Sequence, residues 1–507
     1  MRWIALHLPM LSLESFVASC ADDDAATGPV ALIDAHRVAA ANAAAQTLGV
    51  QPGMKRATAL ALAPHLLLGQ VDAGRDRQSL TAVAHAALAF TPSVTLDLRA
   101  AAEVPVHSVL LEVQSTLRYF GGLPRLLQRL RAALVPLGHR AVCASAPTAQ
   151  GAALLARMPH LPEGMTRHAG DAPALHAAID QAPPWLLAAG AEHWESLQGM
   201  GLQRCADLRR LPRDGLTRRF GTALLDELDR ALGERPDPRA WLVLPEVFHS
   251  RLELFARADT TEQVLHGASV LLARLVAWAS ARQAQVRRFT LRMQHEARHR
   301  HDASTPADTL LEIALAEPSH DAAHLLVLLR ERLAQVQLAA PTLELFIDCS
   351  DVVRRPPPNG ELFPTPRSEH EGITRLIERL QARLGDAQVQ RLVCVDDHRP
   401  ERQTALCRVG VAPSDAARAG VTMPLRPVWL LDEAVPLHER QMQPLLDGRP
   451  LQLLSGPERI ESGWWDAALV ERDYFIAQAG DGALVWIYRR RLPTQDAPAW
   501  FLQGRFG

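Results

Sequence analysis

Few residues in this 507-residue chain have the types and spacing that chemistry requires. Carboxylates able to bind a divalent cation or act as a general base are mostly spread singly over the first part of the chain. The run Asp22–Asp24 is a dense group, and its place in a predicted loop favours a solvated turn. Lys55 is the only lysine, so amine chemistry has one candidate. Isolated carboxylates in the first part of the chain include Glu14, Asp34, Asp97, Glu103 and Glu112.

Composition narrows the class of protein further. The six cysteines form no Cys-x-x-Cys pair, so neither a zinc site nor a disulfide framework is predicted, and no cofactor is expected. With 54 basic and 56 acidic residues the net charge is −2, so any surface for nucleic acid must be local. Val17–Cys20 resembles a lipoprotein cleavage box, but His7, Pro9 and Glu14 interrupt the apolar stretch before it. With no apolar run of ~20 residues elsewhere, we predict a cytoplasmic protein without a membrane segment.

Apolar runs alternate with helical periodicity over the first 165 residues. Arg2–Leu8, Pro29–Ile33 and Ser108–Val113 are predicted strands. Alanine-rich Val38–Leu48 is a predicted helix that ends at Gly49. This alternation indicates an α/β or α+β domain.

A stretch of short helices follows, and within it Leu197–Leu202 has the pattern apolar-x-Gly-x-Gly-apolar. This pattern is typical of a helix-hairpin-helix, in which Gly199 and Gly201 let the backbone approach a phosphate and donate from exposed N–H groups. Arg218 and Arg219 belong to an arginine cluster just after it. An ordinary helical turn with a solvated basic face is the open alternative.

A second basic group lies in a region where strands and helices alternate again, Glu246–Ile347. Arg287 and Arg288 stand at the start of a predicted strand, where they could contact DNA phosphates. The alternative is a solvated strand edge.

The stretch Asp351–Ser368 is rich in proline and polar residues and is a predicted linker. It contains Asn359-Gly360-Glu361-Leu362-Phe363. A Leu-Phe pair in such a tether has no core to fill, which favours a docking peptide over an inert linker. A second pair, Leu345-Phe346, lies in the predicted strand Thr342–Ile347 and is expected in the core.

The last part of the chain begins with a predicted helix, Glu369–Leu384, and is then dense in tryptophan and arginine. Such a concentration of aromatic residues predicts a small β-rich module. Trp500, Phe501 and Phe506 are candidate anchors for a partner, with burial in their own module as the equal alternative.

Together these segments resemble Y-family DNA polymerases over about 350 residues, and along the whole chain a mutagenesis-associated branch of that family. Val50-Gln51-Pro52-Gly53-Met54 is similar to the turn in the family's fingers, and Ala141–Arg157 to its palm strand and helix. The resemblance implies an α+β multidomain fold. Its expected parts are palm and fingers (1–165), thumb with the helix-hairpin-helix (166–240), little finger (241–350), linker (351–368) and partner-binding region with the β-rich module (369–507).

Active members of that family hold two Mg²⁺ ions on an Asp-x-Asp pair in the first strand and an Asp-Glu pair in a later hairpin strand. The alignment places Pro9 and Leu11 at the first pair, and His107 and Ser108 at the second. The triphosphate contacts align with Ala43, Gln46 and a position near Ala153. The resemblance therefore implies a homologue without metal ligands and without catalysis.

The same resemblance implies partners. These are primer-template DNA, an error-prone C-family polymerase, a RecA-like accessory protein and a sliding clamp bound through a Gln-Leu-x-Leu-Phe type peptide. Leu362 and Phe363 match that peptide, whereas Asn359 and Gly360 depart from it. Two alternatives stay open: an active polymerase with relocated ligands such as Glu14 and Glu112, and a stand-alone DNA-binding protein.

Overall fold

The computed structural model contains two compact units, Met1–Arg383 and Leu384–Gly507. The six cysteines all lie in the described part of the chain and are free thiols. The structure describes residues 1–20, 28–97, 100–101, 104–296, 306–354, 366–409, 425–491 and 498–506.

The elements before residue 385 alternate between strands and helices. The strands are β1 (Trp3–His7), β2 (Val30–Asp34), β3 (Arg37–Ala41), β4 (Leu67–Gln70), β5 (Val94–Asp97), β6 (Ala100–Ala101), β7 (Val104–Pro105), β8 (Ser108–Glu112), β9 (Val142–Ala146), β10 (Phe248–Ala258), β11 (Ala284–His295), β12 (Asp308–Ser319) and β13 (Thr342–Arg354). The helices are α1 (Leu11–Val17), α2 (Ala43–Thr47), α3 (Arg56–Leu62), α4 (Ala73–Leu88), α5 (Leu123–Leu134), α6 (Ala149–Arg157), α7 (Ala172–Asp180), α8 (Ala188–Glu192), α9 (Trp194–Gly199), α10 (Cys205–Arg210), α11 (Arg213–Phe220), α12 (Ala223–Leu232), α13 (Thr261–Ala281), α14 (Ala322–Leu333) and α15 (Pro366–Leu384).

The first sheet has the strand order β5-β8-β1-β9, and all its neighbours are antiparallel. Alternate residues of β1 enter two different cores because side chains of a strand point to opposite faces. Trp3 and Ala5 pack with α6, whereas Ile4 and Leu6 pack with α4 and α5. Coverage on both faces explains why this strand is a continuous apolar run.

A second, three-stranded sheet has the order β3-β2-β4. The predicted helix Val38–Leu48 is wrong over its first residues, which form β3. Ala35 and His36 have positive φ angles of 42° and 71° and turn the chain so that β3 pairs with β2. The helix starts only after Asn42, whose side chain accepts a hydrogen bond from the Ala45 N–H (2.9 Å).

Helices α7 to α12 form a helical segment that packs on the α6 side of the first sheet. Their buried residues, such as Leu197, Leu208 and Leu228, share one core with α6. The apolar spacing of these short helices therefore faces the protein and leaves the polar residues outward.

The third sheet has the antiparallel order β10-β13-β11-β12. Helices α13 and α14 cover one of its faces. Among the described residues, helix α13 is long and apolar enough by length and composition to cross a membrane, with a mean hydropathy of 1.5 over 18 residues. Of that window, 56% is buried inside the protein, as in a core helix.

A buried arginine on α13 joins the third sheet to the first. Arg274 donates from Nη1 to the backbone carbonyl of Arg251 (3.2 Å) and from Nη2 to Ser79 Oγ on α4 (3.3 Å). Burial lowers the pKa of this guanidinium to about 10. The neighbouring Ala273 and Ala277 enter the core of the first sheet, so α13 packs against both sheets.

Helix α15 is docked on the third sheet through a buried carboxylate. Glu378 Oε1 accepts from the backbone N–H groups of Ala316 (2.6 Å) and Glu317 (3.1 Å), and Oε2 lies 2.8 Å from His324 Nε2. The predicted linker Asp351–Ser368 is thus shorter than expected at both ends, because β13 continues to Arg354 and α15 begins at Pro366.

The second unit is rich in strands. Its strands are β14 (Gln390–Cys394), β15 (Thr404–Arg408), β16 (Trp429–Arg440), β17 (Gln443–Leu446), β18 (Arg449–Pro450), β19 (Gln452–Ser462), β20 (Val470–Gln478), β21 (Leu484–Arg490) and β22 (Trp500–Arg505). β14 and β15 form a two-stranded sheet, and the others form a seven-stranded antiparallel sheet of order β18-β17-β16-β22-β21-β20-β19.

Aromatic rings stabilise the larger of these sheets. Tyr474 stacks on Trp486 with ring centroids 4.2 Å apart, and Tyr488 stacks on Phe501 at 5.1 Å. Trp500 and Phe501 are buried in the same module. They contribute to its packing, so neither is a surface anchor.

Candidate functional site

The polar end of the first sheet brings together residues from β1 and β8. The strand register pairs His7 with Ser108. His7 Nδ1 lies 3.1 Å from Ser108 Oγ and 3.2 Å from the backbone carbonyl of His107. That carbonyl also accepts from the Leu8 N–H (2.9 Å). The predicted site residues His107 and Ser108 are therefore hydrogen-bonded to a residue that the sequence analysis missed.

His7 is a neutral imidazole at physiological pH. Burial, followed by the positive charge of Arg157, lowers the pKa of His7 to about 4. A neutral ring can donate or accept a hydrogen bond to Ser108 but supplies no charge.

A second part of this polar network lies on α1 and α4. His107 Nε2 is 3.8 Å from Asp76 Oδ2, and Ser12 Oγ donates to the same oxygen. Burial lowers the pKa of His107 and raises the pKa of Asp76. The network therefore favours neutral forms of both side chains.

The two other predicted positions lie differently. Pro9 is exposed in the turn after β1, whereas Leu11 opens α1 and is fully buried in the core. The structure does not bring Leu11 into the polar network. The signal for His7 was available in the sequence, because it is the first polar residue after the apolar run of β1.

The isolated carboxylates in the described residues do not gather at this end of the sheet, with one exception, and Glu103 lies outside those residues. Glu112 pairs with Trp3, four residues from His7 along β1 and thus about 13 Å away. Glu14 lies 3.1 Å from His139 Nδ1, and its carboxylate oxygens lie 3.3 Å from the Arg140 N–H.

The exception is Asp97, which stands opposite Ser108 on the other side of β8. Its side chain is buried, and Oδ1 lies 3.9 Å from Arg239 Nη1. Within the described residues, no group of three His, Cys, Asp or Glu side chains is arranged to hold a metal ion.

The positions aligned with triphosphate contacts offer no cation. Ala43 and Gln46 lie on α2, where Gln46 Nε2 donates to the carbonyl of Ala41 (2.8 Å). Ala153 is fully buried under the first sheet.

The helix-hairpin-helix prediction gives the correct local fold. Helices α9 and α10 flank the turn, and Gly201 has a φ of +80°. Open space surrounds both Gly199 and Gly201. The expected free N–H groups are not there, however. The amides of residues 200–205 donate to carbonyls of α9, to the Asp207 carboxylate or to the carbonyl of Ala182.

Two arginines of the helical segment remain available for a phosphate. Arg218 and Arg219 are exposed in the last turn of α11, and Arg219 lies 5.7 Å from the Phe220 ring centroid. Neither forms a salt bridge to any described residue. Arg209 and Arg213, by contrast, are paired with Asp180 (2.6 Å) and Asp229 (2.5 Å).

The other predicted pair, Arg287 and Arg288, is already neutralised on the outer face of the third sheet. Arg288 Nη1 lies 3.0 Å from Glu312 Oε1, and Arg287 Nη1 lies 3.8 Å from Asp351 Oδ1. Carboxylates of the neighbouring strands thus break up the expected basic stripe.

The same pattern continues across that face. Arg251 pairs with Glu344 (2.8 Å), and His249 pairs with Asp348 (2.6 Å).

The peptide Asn359-Gly360-Glu361-Leu362-Phe363 lies outside the described residues.

Comparison with known proteins agrees with this architecture. Residues 11–157 match the impB/mucB/samB family. The described elements form a mixed α/β fold with a β-rich C-terminal unit, as the sequence predicted. Along its length the chain is similar to Protein ImuB of Caulobacter vibrioides, strains NA1000 and ATCC 19089, at 29% identity over 481 residues, which covers 91% of this chain and all of each relative.

Solved structures are similar at a lower level. DinB from Sulfolobus solfataricus has a TM-score of 0.38 and 16% identity, covering 69% of this chain and 98% of that one. An insertion ternary complex of Dbh DNA polymerase has a TM-score of 0.39 and 15% identity, covering 70% and 100%.

Proposed function

We propose that this protein is a non-catalytic assembly hub for error-prone translesion synthesis in the bacterial cytoplasm, at the nucleoid, within the SOS response to DNA damage. The observation that supports this most directly is the neutral polar network of His7, His107 and Ser108. It lies where β1 and β8 meet, at the position that the family resemblance assigns to metal-binding carboxylates.

The residues at this position do not fit a two-metal centre. Two Mg²⁺ ions need several anionic oxygen ligands, whereas a neutral imidazole and a hydroxyl supply none. Asp76 and Asp97 are the nearby buried carboxylates, and each is engaged with another side chain. The register favours His7 and Pro9, in place of Pro9 and Leu11, as the residues that stand at the first acidic pair.

DNA binding in this proposal is a surface property without chemistry. Arg218 and Arg219 are the supported phosphate contacts, with the open surface at Gly199 and Gly201 beside the helical turn. Arg287 and Arg288 contribute little to DNA binding because they already form ion pairs with carboxylates. Binding to primer-template DNA is accordingly weak and depends on a few contacts.

Recruitment to a sliding clamp is assigned to the peptide Asn359–Phe363. A Leu-Phe pair buried in an apolar pocket supplies the affinity for such docking. We expect the double variant Leu362→Ala with Phe363→Ala to lose clamp binding in surface plasmon resonance and to keep the fold. Pro356→Ala with Pro357→Ala is the matched control in the same tether, and clamp affinity equal in both variants would contradict the assignment.

The remaining partners are those that the resemblance to the mutagenesis-associated branch of Y-family polymerases implies. They are a RecA-like accessory protein, ImuA, and an error-prone C-family polymerase that performs synthesis. The C-terminal unit, which begins at 384 and not at 369, is assigned to these contacts. Trp464 and Trp465 are more than half exposed there, unlike Trp500 and Phe501, so they are the better candidate anchors.

Primer extension tests the absence of catalysis. The purified full chain, given Mg²⁺ and then Mn²⁺ on undamaged and lesion-containing templates, is expected to bind the DNA without incorporating nucleotides. An active Y-family polymerase in the same buffer is the control. Templated incorporation that is lost in Asp97→Asn would instead support the alternative of relocated ligands.

A further inference from the structure

Helix α15 exposes an apolar stripe. Ile373, Leu376, Leu380 and Leu384 lie at i, i+3, i+7 and i+11, which places them on one face of the helix. Their exposed fractions are 59%, 56%, 38% and 54%. Leucine and isoleucine at this spacing and exposure are typical of a surface that a partner covers.

The stripe is held in place by the opposite face of the same helix. Glu378 and Ala382 are buried against the third sheet, and Gln335 Nε2 donates to the carbonyl of Ala382 (3.0 Å). Because α15 is already docked, binding to the stripe does not require the helix to be ordered first.

Arginines border the stripe on one side. Arg375, Arg379 and Arg383 are exposed and follow one another at four-residue spacing. Arg375 is paired with Asp321 (3.4 Å). Arg379 and Arg383 form no salt bridge to a described residue, so their charges are available to a ligand.

We infer that α15 is the docking site for an amphipathic helix of a partner protein whose apolar stripe is flanked by acidic residues. An apolar row at helical spacing fits the i, i+3 and i+7 anchors of such a helix. The free arginines select acidic flanks. A second copy of this chain fits less well, because it would place like charges of Arg379 and Arg383 together.

This inference rests on the proposed assembly role and names the chemistry of one partner. It makes no use of the clamp peptide or of the first sheet. Its failure would leave clamp binding and the absence of synthesis unchanged, and their failure would leave the stripe unchanged.

The probe is a fluorescently labelled synthetic helix with leucines at i, i+3 and i+7 and glutamates beside them, compared with the same peptide carrying lysines. Fluorescence anisotropy with the full chain is expected to show saturable binding of the glutamate peptide and roughly tenfold weaker binding of the lysine peptide. The variant Leu376→Ser with Leu380→Ser is expected to bind roughly a hundredfold more weakly. Leu62→Ser with Leu310→Ser, at exposed leucines elsewhere, is the matched control and keeps full affinity.

Reversing the charge of the arginines beside the stripe tests whether they select an acidic partner helix. Arg379→Glu with Arg383→Glu is expected to invert the preference, so that the lysine peptide binds better. The proposal is overturned if the wild-type chain ignores both peptides, if the leucine variant binds normally, or if the charge reversal changes nothing. It is also overturned if sedimentation velocity shows a dimer of the wild-type chain that the leucine variant abolishes, since a second copy would then be the occupant.

Discussion

The polar end of the first sheet and the outer face of the third sheet both carry little net charge, but for different physical reasons. At the first sheet, burial keeps His7 neutral beside Ser108. On the third sheet, Arg287 and Arg288 stay charged and are offset by carboxylates of neighbouring strands. A surface neutralised by burial responds to pH, whereas one neutralised by pairing responds to salt and to loss of the paired group.

The largest expected effect concerns pH and the first sheet. The folded pKa of His7 is about 4, below its ordinary 6.5, so the unfolded chain takes up a proton first as pH falls. Stability is therefore lost between pH 6.5 and 4, by up to about 3 kcal/mol from this group. Urea denaturation at pH about 7 and about 4.5 is expected to show a smaller loss in His7→Gln than in the wild type.

His65→Gln, at an exposed position of the same unit, is the control and should keep the wild-type pH dependence. Equal loss of stability in His7→Gln and in the wild type would mean that His7 titrates normally, and the contrast between the two sheets would fail.

The next effect compares free with paired arginines. Arg218→Ala with Arg219→Ala is expected to weaken DNA binding about tenfold and to reduce the slope of log affinity against log salt by about 2, because two phosphate contacts are lost. Arg287→Ala with Arg288→Ala is the matched control and should change affinity by less than about twofold. Fluorescence anisotropy with primer-template DNA over a salt series measures both, and equal losses would contradict the pairing argument.

The smallest effect sharpens the comparison from the opposite side. Glu312→Gln with Asp351→Asn removes the carboxylates that face Arg287 and Arg288. The released arginines are expected to raise DNA affinity about threefold and to steepen its salt dependence. The same anisotropy assay measures this gain, and unchanged affinity would show that this face does not meet DNA at all.

The first sheet was largely predictable from the sequence because its strands are apolar runs bounded by polar residues. β1 and β8 match their predicted ranges within one residue at each end. The helix predicted over Val38–Leu48 failed because alanine suits both states, and the positive φ angles of Ala35 and His36 decide the local structure.

The site was less predictable because its composition depends on residues far apart in the chain. The alignment put Pro9 and Leu11 at the first acidic pair, whereas the strand register pairs His7 with Ser108. The sequence analysis also interpreted Arg287 and Arg288 as a basic surface. The carboxylates of Glu312 and Asp351 are distant in sequence and become neighbours of these arginines only through strand pairing. The prediction that Asn359–Phe363 docks on a clamp stays a prediction.

Arg274 holds the first and third sheets together as one rigid part of the molecule. Moving the third sheet together with α13 away from α4 would break the hydrogen bond from the Arg274 guanidinium to Ser79 Oγ unless water replaced it. Helix α15 is fastened to that third sheet through Glu378. A partner bound to α15 would therefore be held at a fixed distance and angle from the first sheet.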